Sequence, residues 1–258
     1  MEYQGLPPVD LFLAAEPDIV VPGMLDALGD HRTDRPLPAT APRAPIKPAG
    51  TGPMSPADMA QALERAVAGR DVSLLHVPVS WNGADWQFRH PLEYLGSEGG
   101  AGLGAGPGVA VGEALALRGS GRLPVAILGD GDFLMGVTAI WTAAHYRIPL
   151  LIVVSNNQSF YNDEVHQERM ARARQRPVEN KWIGQRMTDP DIDLAGLARA
   201  QGATAFGPII DHAQLGAAIA SSIAAVDAGQ VVVVDVRVKP GYTPEMAAGL
   251  TPTGNTRA

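Results

Sequence analysis

The sequence predicts an α/β fold: a doubly wound parallel sheet, preceded by a short strand and helix. Apolar runs of strand length alternate with segments of helical periodicity along most of the 258 residues. Two of these runs, residues 149–155 and 231–236, are apolar almost throughout instead of alternating. Continuous apolar strands indicate burial on both faces, as in a parallel sheet covered by helices on each side.

The first predicted elements are a strand over residues 9–15 and a helix over residues 16–28. In the helix, Val20, Met24 and Leu28 recur about once per turn. The following stretch, residues 30–54, is rich in Pro, Arg and Ala. It is predicted to be an extended linker, because proline removes backbone donors and disfavours helix in the residue before it.

A second helix is predicted to begin at Ser55-Pro56, with Ser55 as the N-cap and Pro56 in the first helical position. Strands and helices then alternate. The predicted strands cover residues 73–77, 124–128, 149–155, 203–206 and 231–236, and the predicted helices cover 108–117, 133–145, 193–200 and 211–226. Residues 240–258 are polar and rich in Gly and Pro, and are predicted to form a tail.

Composition excludes several classes of function. There are 20 Lys+Arg against 27 Asp+Glu, and a net charge of −7 argues against a nucleic-acid backbone as the main partner. The absence of cysteine excludes disulfides, zinc thiolates and cysteine nucleophiles. No signal-peptide pattern opens the sequence and no apolar run is long enough to cross a bilayer, so we expect a cytoplasmic location without membrane contact.

Polar motifs follow two consecutive predicted strands. Gly129-Asp130-Gly131 comes directly after one strand, and Asn156-Asn157 comes directly after the next. The spacing is that of one βαβ unit, so the two strand ends are expected to be neighbours at the edge where open sheets bind ligands. Carboxylate and amide oxygens suit Mg²⁺, whose remaining ligands diphosphate oxygens and water can supply.

Residues 99–112 are unusually rich in glycine and run into the predicted helix at 108–117. A flexible linker is one interpretation. Close approach of the backbone to a flat ligand is favoured, because linkers rarely continue directly into a helix.

With these motifs, residues 55–239 resemble the cofactor-binding domain of the thiamine-diphosphate enzymes, the superfamily of acetolactate synthase, pyruvate decarboxylase and benzoylformate decarboxylase. The resemblance implies thiamine diphosphate and Mg²⁺ as cofactors. It implies metal ligation by Asp130, the Asn157 side chain and the Ser159 carbonyl. The cofactor-binding residues that it implies are Ser80, Trp81, Asn82, Ala101, Leu103, Gly129, Asp130, Gly131, Asp132, Asn157 and Ser159.

The resemblance also implies roles for individual cofactor residues. Leu103 matches the apolar residue that holds the cofactor in its bent shape, and the Ala101 carbonyl matches the acceptor for its amino group. The backbone of Gly131 and Asp132 is expected to bind the diphosphate. Asp132 stands where the family has a small residue, and a carboxylate beside a diphosphate is repulsive unless it turns away or meets a cation.

A substrate pocket is expected directly after the implied metal ligands, with Tyr161, Asn162, Asp163, Glu164 and His166 as candidate lining residues. A run of basic residues follows. It is interpreted either as a solvated helix face or as a binding surface for an anionic substrate. Its members are Arg169, Arg172, Arg174, Arg176, Lys181 and Arg186. Helical spacing predicts core positions for Met135 and Trp141. His76 is expected in the core, and His145 at a helix end.

The resemblance implies a lyase or transferase, namely a decarboxylase or carboligase acting on 2-oxo acids, 2-hydroxy ketones or acyl-CoA analogues. In the family, the activating glutamate lies on a separate pyrimidine-binding domain, and residues 1–29 resemble only a remnant of the middle domain. We therefore expect no catalytic residue in this chain and a second polypeptide carrying that glutamate. The expected assembly is a hetero-oligomer with two or more copies of each chain.

Three alternatives stay open at this point. One alternative is that the chain is a fragment of a longer protein. A second is that it is a catalytically silent cofactor-binding or regulatory subunit. A dinucleotide-binding module is disfavoured, because no G-x-G-x-x-G fingerprint follows the first strand of a βαβ unit with an acidic residue about 20 positions on.

Overall fold

The computed structural model describes residues 10–11, 13–29, 52–96 and 102–241. The chain divides into two units, Met1–Ala44 and Pro45–Ala258. Most of the predicted linker, the predicted tail beyond Gly241 and the predicted cofactor residue Ala101 lie outside the described residues.

The N-terminal unit contains helix α1, Pro17–Leu28, which confirms the first predicted helix. Its C-cap is Gly29, with a φ of 52°, a conformation that favours glycine. The predicted strand over residues 9–15 is wrong for the described part of that stretch, where residues 10–11 and 13–15 form no strand. An apolar run becomes a strand only where a neighbouring strand supplies hydrogen bonds, and sequence periodicity does not reveal that neighbour.

The second unit is built on a parallel sheet, as the sequence predicts. Its five strands are β1 Val72–His76, β2 Leu123–Gly129, β3 Leu150–Asn156, β4 Thr204–Ile209 and β5 Val231–Arg237. Their order is β1-β2-β3-β5-β4, and every neighbouring pair is parallel. All predicted strands of this unit are therefore confirmed, with shifts of a few residues at their ends.

Helices cover both faces of the sheet. They are α2 Pro56–Ala66, α3 Gly106–Ala116, α4 Asp130–Gly136, α5 Thr138–His145, α6 Tyr161–Ala173, α7 Leu194–Ala200 and α8 His212–Asp227. Side chains of α2 and α8 share one apolar cluster with one face of the sheet. Side chains of α3, α4, α5 and α7 share a second cluster with the opposite face.

Helix α2 begins with a complete capping box at Ser55, as its sequence predicts. The Ser55 hydroxyl accepts a hydrogen bond from the Asp58 backbone nitrogen, and the Asp58 carboxylate accepts one from the Ser55 backbone nitrogen. Two backbone donors at the start of the helix are satisfied in this reciprocal way.

The single helix predicted over residues 133–145 is interrupted at Val137, between α4 and α5. The Ile140 nitrogen bonds to the Val137 carbonyl three residues earlier, which tightens the backbone there. Gly136, a poor helix former, precedes the break. Helix α6 is absent from the predicted elements, although a helix face is one interpretation of the basic run, whose Arg169 and Arg172 it contains.

The core positions predicted for Met135 and Trp141 are wrong. Their side chains are 59% and 54% exposed, because α4 and α5 turn these residues away from the sheet. His76 is buried, as expected, and His145 ends α5 and stacks on Trp141 with ring centroids 4.7 Å apart. In the described part of the chain, the helices are all too short or too polar to span a membrane.

Candidate active site

The two polar motifs meet at the carboxyl edge of the sheet. Strand β2 ends at Gly129 and its neighbour β3 ends at Asn156, and Gly129 pairs with Ser155 in the parallel register. Asp130 starts α4 directly after β2 and is 3% exposed. The predicted adjacency of the two strand ends is confirmed.

The three predicted metal ligands are connected through the backbone nitrogen of Ser159, which is itself one of the three residues. The Ser159 nitrogen donates to Asp130 Oδ2 at 3.3 Å and to Asn157 Oδ1 at 2.9 Å. Both side-chain oxygens therefore lie around one point of the loop that follows β3. We call residues 157–159 the metal loop, for the ion that the sequence predicts there.

Burial raises the pKa of Asp130 to about 6, while backbone hydrogen bonds, including those from Gly131 and Ser159, pull that pKa down. A buried carboxylate of this kind is stabilised in its charged form by a nearby cation. The available oxygens are a carboxylate, an amide and a backbone carbonyl, which are the hard donors that Mg²⁺ prefers. The chemistry of these residues fits a divalent cation.

The metal loop is held from the sheet by Asp235 of β5. Asp235 accepts a hydrogen bond from the Asn156 side-chain amide at 2.8 Å, and Asn156 Oδ1 accepts one from the Gln158 nitrogen at 3.1 Å. Gln158 has a φ of 60°, an uncommon conformation for a residue other than glycine. The bond to Asn156 helps to stabilise this turn.

The metal loop is also held from its other side. The Ser159 hydroxyl donates to Glu164 Oε1 at 2.5 Å, and Glu164 is 3% exposed. The Arg186 guanidinium lies 3.4 Å from the same carboxylate oxygen. The Met187 nitrogen bonds to the Gln158 carbonyl at 2.8 Å, so a segment remote in sequence runs beside the loop.

The described part of the glycine-rich segment, which begins at residue 102, packs against α4. A Cβ atom on Gly136 would lie 2.4 Å from the Gly104 carbonyl oxygen, and one on Gly104 would lie 3.0 Å from the Met135 Cβ. Gly104 also has a φ of 89°. Glycine at both positions therefore permits the close approach, and Leu103, at the tip, is 53% exposed.

Position 131 requires glycine, because the ring of Phe160 packs against its backbone. A Cβ atom at this position would lie 2.2 Å from Phe160 Cε1. The side chain of Asp132 leaves the strand-end motif and contacts the glycine-rich segment, where the Gly104 nitrogen donates to its Oδ1 at 2.7 Å. The Asp132 carboxylate thus turns toward the glycine-rich segment. Turning away is one of the two ways, named above, in which a carboxylate can be tolerated beside a diphosphate.

The remaining predicted residues are placed as follows. Trp81 is buried in the core and its ring lies 6.4 Å from that of Trp86, so its indole belongs to the packing of the domain. Ser80 and Asn82 are half-buried beside it. Tyr161 and Asn162 occupy the half-buried first turn of α6, and His166 is exposed one turn after Asn162. Their assignment to a substrate pocket stays a prediction.

Arg172, Lys181 and Arg186 of the basic run make local ion pairs. Arg172 contacts Glu168 at 2.7 Å within α6, and Lys181 contacts the same carboxylate. These contacts lower the pKa of Glu168. Arg186 contacts Glu164 and lies over the Trp182 ring. The ion pair of Arg172 favours the helix-face interpretation for that residue, whereas Lys181 lies in a turn beyond the end of α6.

Sequence reasoning missed the buried carboxylate of Asp235 and the side-chain role of Asp132, and it named Glu164 as a candidate pocket residue instead of a partner of Ser159. The sequence does carry a signal for Asp235, because this residue interrupts the run 231–236, whose remaining residues are all valine. A charged residue in a strand buried on both faces is rare unless it is paired.

The fold and the strand-end motifs define an α/β cofactor-binding domain whose site lies where parallel strands end. Residues 79–236 match the family model described as the thiamine pyrophosphate enzyme C-terminal TPP binding domain, and the chain belongs to this family. The matched region contains both polar motifs and the glycine-rich segment.

Named relatives agree with this family. Benzoylformate decarboxylase of Pseudomonas aeruginosa is 36% identical over 129 residues, which cover 49% of this chain and 24% of the relative. The solved thiamine diphosphate-dependent 4-hydroxybenzoylformate decarboxylase of Rhodococcus jostii RHA1 is similar with a TM-score of 0.64 and 27% identity, over 82% of this chain and 37% of that one.

The solved benzoylformate decarboxylase of Polynucleobacter necessarius is similar in fold, with a TM-score of 0.60 at 22% identity over 75% of this chain and 35% of that one. The chain thus spans 24% of the curated relative and little more than a third of the solved structures.

Proposed function

We propose that this chain is the cofactor-binding part of a thiamine-diphosphate- and Mg²⁺-dependent decarboxylase acting on 2-oxo acids. The observation that carries the proposal is the convergence of Asp130 and Asn157 on the Ser159 nitrogen at the ends of neighbouring strands. Among the substrate classes that the sequence leaves open, the names of the relatives favour aromatic 2-oxo acids over acyl-CoA analogues.

The residues of this chain have a defined part in that reaction. Asp130, Asn157 and the Ser159 carbonyl would hold the cation, through which the diphosphate would be anchored. Leu103 supports the cofactor from the glycine-rich segment. Thiamine diphosphate, when bound, supplies the electron sink for cleaving the bond next to the carbonyl, and the protein positions it.

Calorimetric titration with thiamine diphosphate and Mg²⁺ tests the cation assignment. Asp130→Ala and Asn157→Ala should each weaken binding by more than the roughly 10- to 100-fold that loss of an outer-shell partner costs. Asn180→Ala, in an exposed turn, is the matched control and should bind like the wild type. Near-wild-type affinity in either site variant would contradict the assignment.

We propose in addition that a second polypeptide completes the pyrimidine end of the site and carries the activating glutamate. Exposed apolar side chains support this proposal, because Leu103, Met135 and Trp141 are each more than half exposed on the glycine-rich segment, α4 and α5. Exposed apolar surface of this kind commonly marks an interface. Closed symmetry then favours two or more copies of each chain.

Coexpression with the product of the neighbouring reading frame tests the partner. The two chains should copurify, their native mass should correspond to equal copies, and decarboxylation of a 2-oxo acid should require both. A homo-oligomer of this chain that is active alone would refute the proposal. A stable complex that binds the cofactor without turnover would instead show a silent cofactor-binding subunit.

A further inference from the structure

The Asp132 carboxylate acts at the start of a helix to which it does not belong. Its Oδ1 accepts hydrogen bonds from the backbone nitrogens of Gly104, at 2.7 Å, and Gly106, at 3.3 Å. Gly106 is the first residue of α3, and the N-cap residue of α3 is Ala105, whose methyl group cannot accept a hydrogen bond. Backbone donors in the first turn of a helix have no partner within it. Asp132 satisfies one of these donors, the Gly106 nitrogen, from another element, and it also binds the Gly104 nitrogen just before the helix.

The fit between Asp132 and Gly106 is steric as well as polar. A Cβ atom on Gly106 would lie 2.0 Å from Asp132 Oδ2 and 2.9 Å from Leu128 Cδ2. Any larger residue at position 106 would therefore displace the carboxylate. This chain thus has both a carboxylate after Gly-Asp-Gly and the glycine that leaves space for it.

A third element contributes to the same contact. His76, at the end of β1, places its Nε2 3.8 Å from Asp132 Oδ2, and both side chains are about nine-tenths buried. Asp132 therefore connects the end of β1, the start of α4 and the start of α3. It lies two residues from Asp130, while its side chain contacts the backbone next to Leu103.

We propose that Asp132 is a positioning residue that fixes residues 102–106, and Leu103 with them, relative to the metal loop before the cofactor binds. The inference deepens the proposed function and rests on it, because Leu103 needs a fixed position only where it supports a bound cofactor. Groups ordered in advance lose less conformational freedom on binding, which favours affinity.

Hydrogen exchange on the full chain without cofactor tests the contact directly. In Asp132→Ala, the amides of Gly104 and Gly106 should exchange roughly tenfold faster, the factor that one hydrogen bond of ordinary strength represents. Asp132→Asn keeps an acceptor oxygen and should retain most of the protection. Gly106→Ala, which displaces the carboxylate without removing it, should resemble Asp132→Ala.

The matched control is Asp211→Ala. Asp211 caps α8 by accepting a hydrogen bond from the Ala213 nitrogen at 2.7 Å. Its loss should speed exchange at the start of α8 and leave residues 103–106 as in the wild type. Wild-type exchange of the amides at positions 104 and 106 in both Asp132→Ala and Gly106→Ala would overturn the proposal.

Thiamine diphosphate titration in the presence of Mg²⁺ supplies the second measurement. Asp132→Ala should raise the dissociation constant by on the order of tenfold, and Asp132→Asn should restore most of the affinity. Faster exchange at residues 103–106 with unchanged affinity would overturn the positioning role. A wild-type chain that binds no thiamine diphosphate, alone or with its partner, would overturn the proposed function, whatever the exchange rates show.

Discussion

The carboxylate of Asp235 on β5 accepts a hydrogen bond from the side-chain amide of Asn156 at the end of β3, over 2.8 Å. Asp235 has no exposed surface, and burial raises its pKa, although the bond from Asn156 offsets part of that rise. The buried Asp235 carboxylate therefore orients Asn156, the neighbour of Asn157, and its burial lowers the stability of the domain.

Asp235→Asn should stabilise the cofactor-free chain at neutral and alkaline pH. Because the folded-state pKa of Asp235 is raised, the folded state binds its proton more tightly than the unfolded state does, and wild-type stability falls as pH rises through the interval between the two values. Asparagine retains an acceptor for Asn156 and removes that dependence. The expected gain is about 1 to 3 kcal/mol, the scale of an unsatisfied buried polar group.

Urea unfolding at about pH 8 and about pH 5 checks this prediction, and the gain should shrink at the lower pH. Asp227→Asn is a suitable control, because Arg70 lowers the pKa of that exposed carboxyl instead of raising it. Equal destabilisation of Asp235→Asn at both pH values would contradict the prediction.

Glu164→Ala should loosen the metal loop. The substitution removes the acceptor of the Ser159 hydroxyl and leaves that buried group unpaired, a loss of about 1 to 3 kcal/mol in the free energy of unfolding. The apparent affinity for Mg²⁺ at saturating thiamine diphosphate should fall, and Glu164→Gln, which keeps an acceptor, should recover most of it. Glu168→Ala, one turn further along α6 and more exposed, should leave Mg²⁺ affinity unchanged.

Gly131→Ala should destabilise the domain by about 1 to 3 kcal/mol, the usual range for overpacking a core. The added methyl group would overlap the ring of Phe160, 2.2 Å away. Phe160→Leu should relieve the overlap, so the double variant should lose less stability than the sum of the two single changes. Strict additivity in chemical denaturation would mean that the ring does not limit this position.

Leu103→Ala should lower turnover by more than it lowers cofactor affinity. The cation and diphosphate contacts lie on other elements and remain, whereas the support for the bent cofactor is lost. Steady-state kinetics and cofactor titration on the complex with the partner measure the two effects separately. Full activity in Leu103→Ala would show that residues 102–106 do not support the cofactor.

The sequence identified the strand-end motifs because their signal is local. A buried strand followed by Gly129-Asp130-Gly131 and a second followed by Asn156-Asn157, one βαβ unit apart, place both motifs at the same sheet edge by topology alone. The capping box at Ser55 is equally local, since all its atoms lie within four residues. The incorrect core positions of Met135 and Trp141 show the limit of periodicity, which groups residues on one helix face without specifying what covers that face.

What the sequence by itself determined is the alternation of elements, the parallel sheet and the identity of the residues at its carboxyl edge, because hydrophobic period and turn chemistry are properties of neighbouring residues. Only the tertiary structure decided the strand order, the packing of Gly104 against α4, and the contacts that Asp132, Glu164 and Asp235 make around the site. These contacts join residues up to 79 positions apart. Their geometry follows from the packing of the whole chain, which the local pattern does not encode.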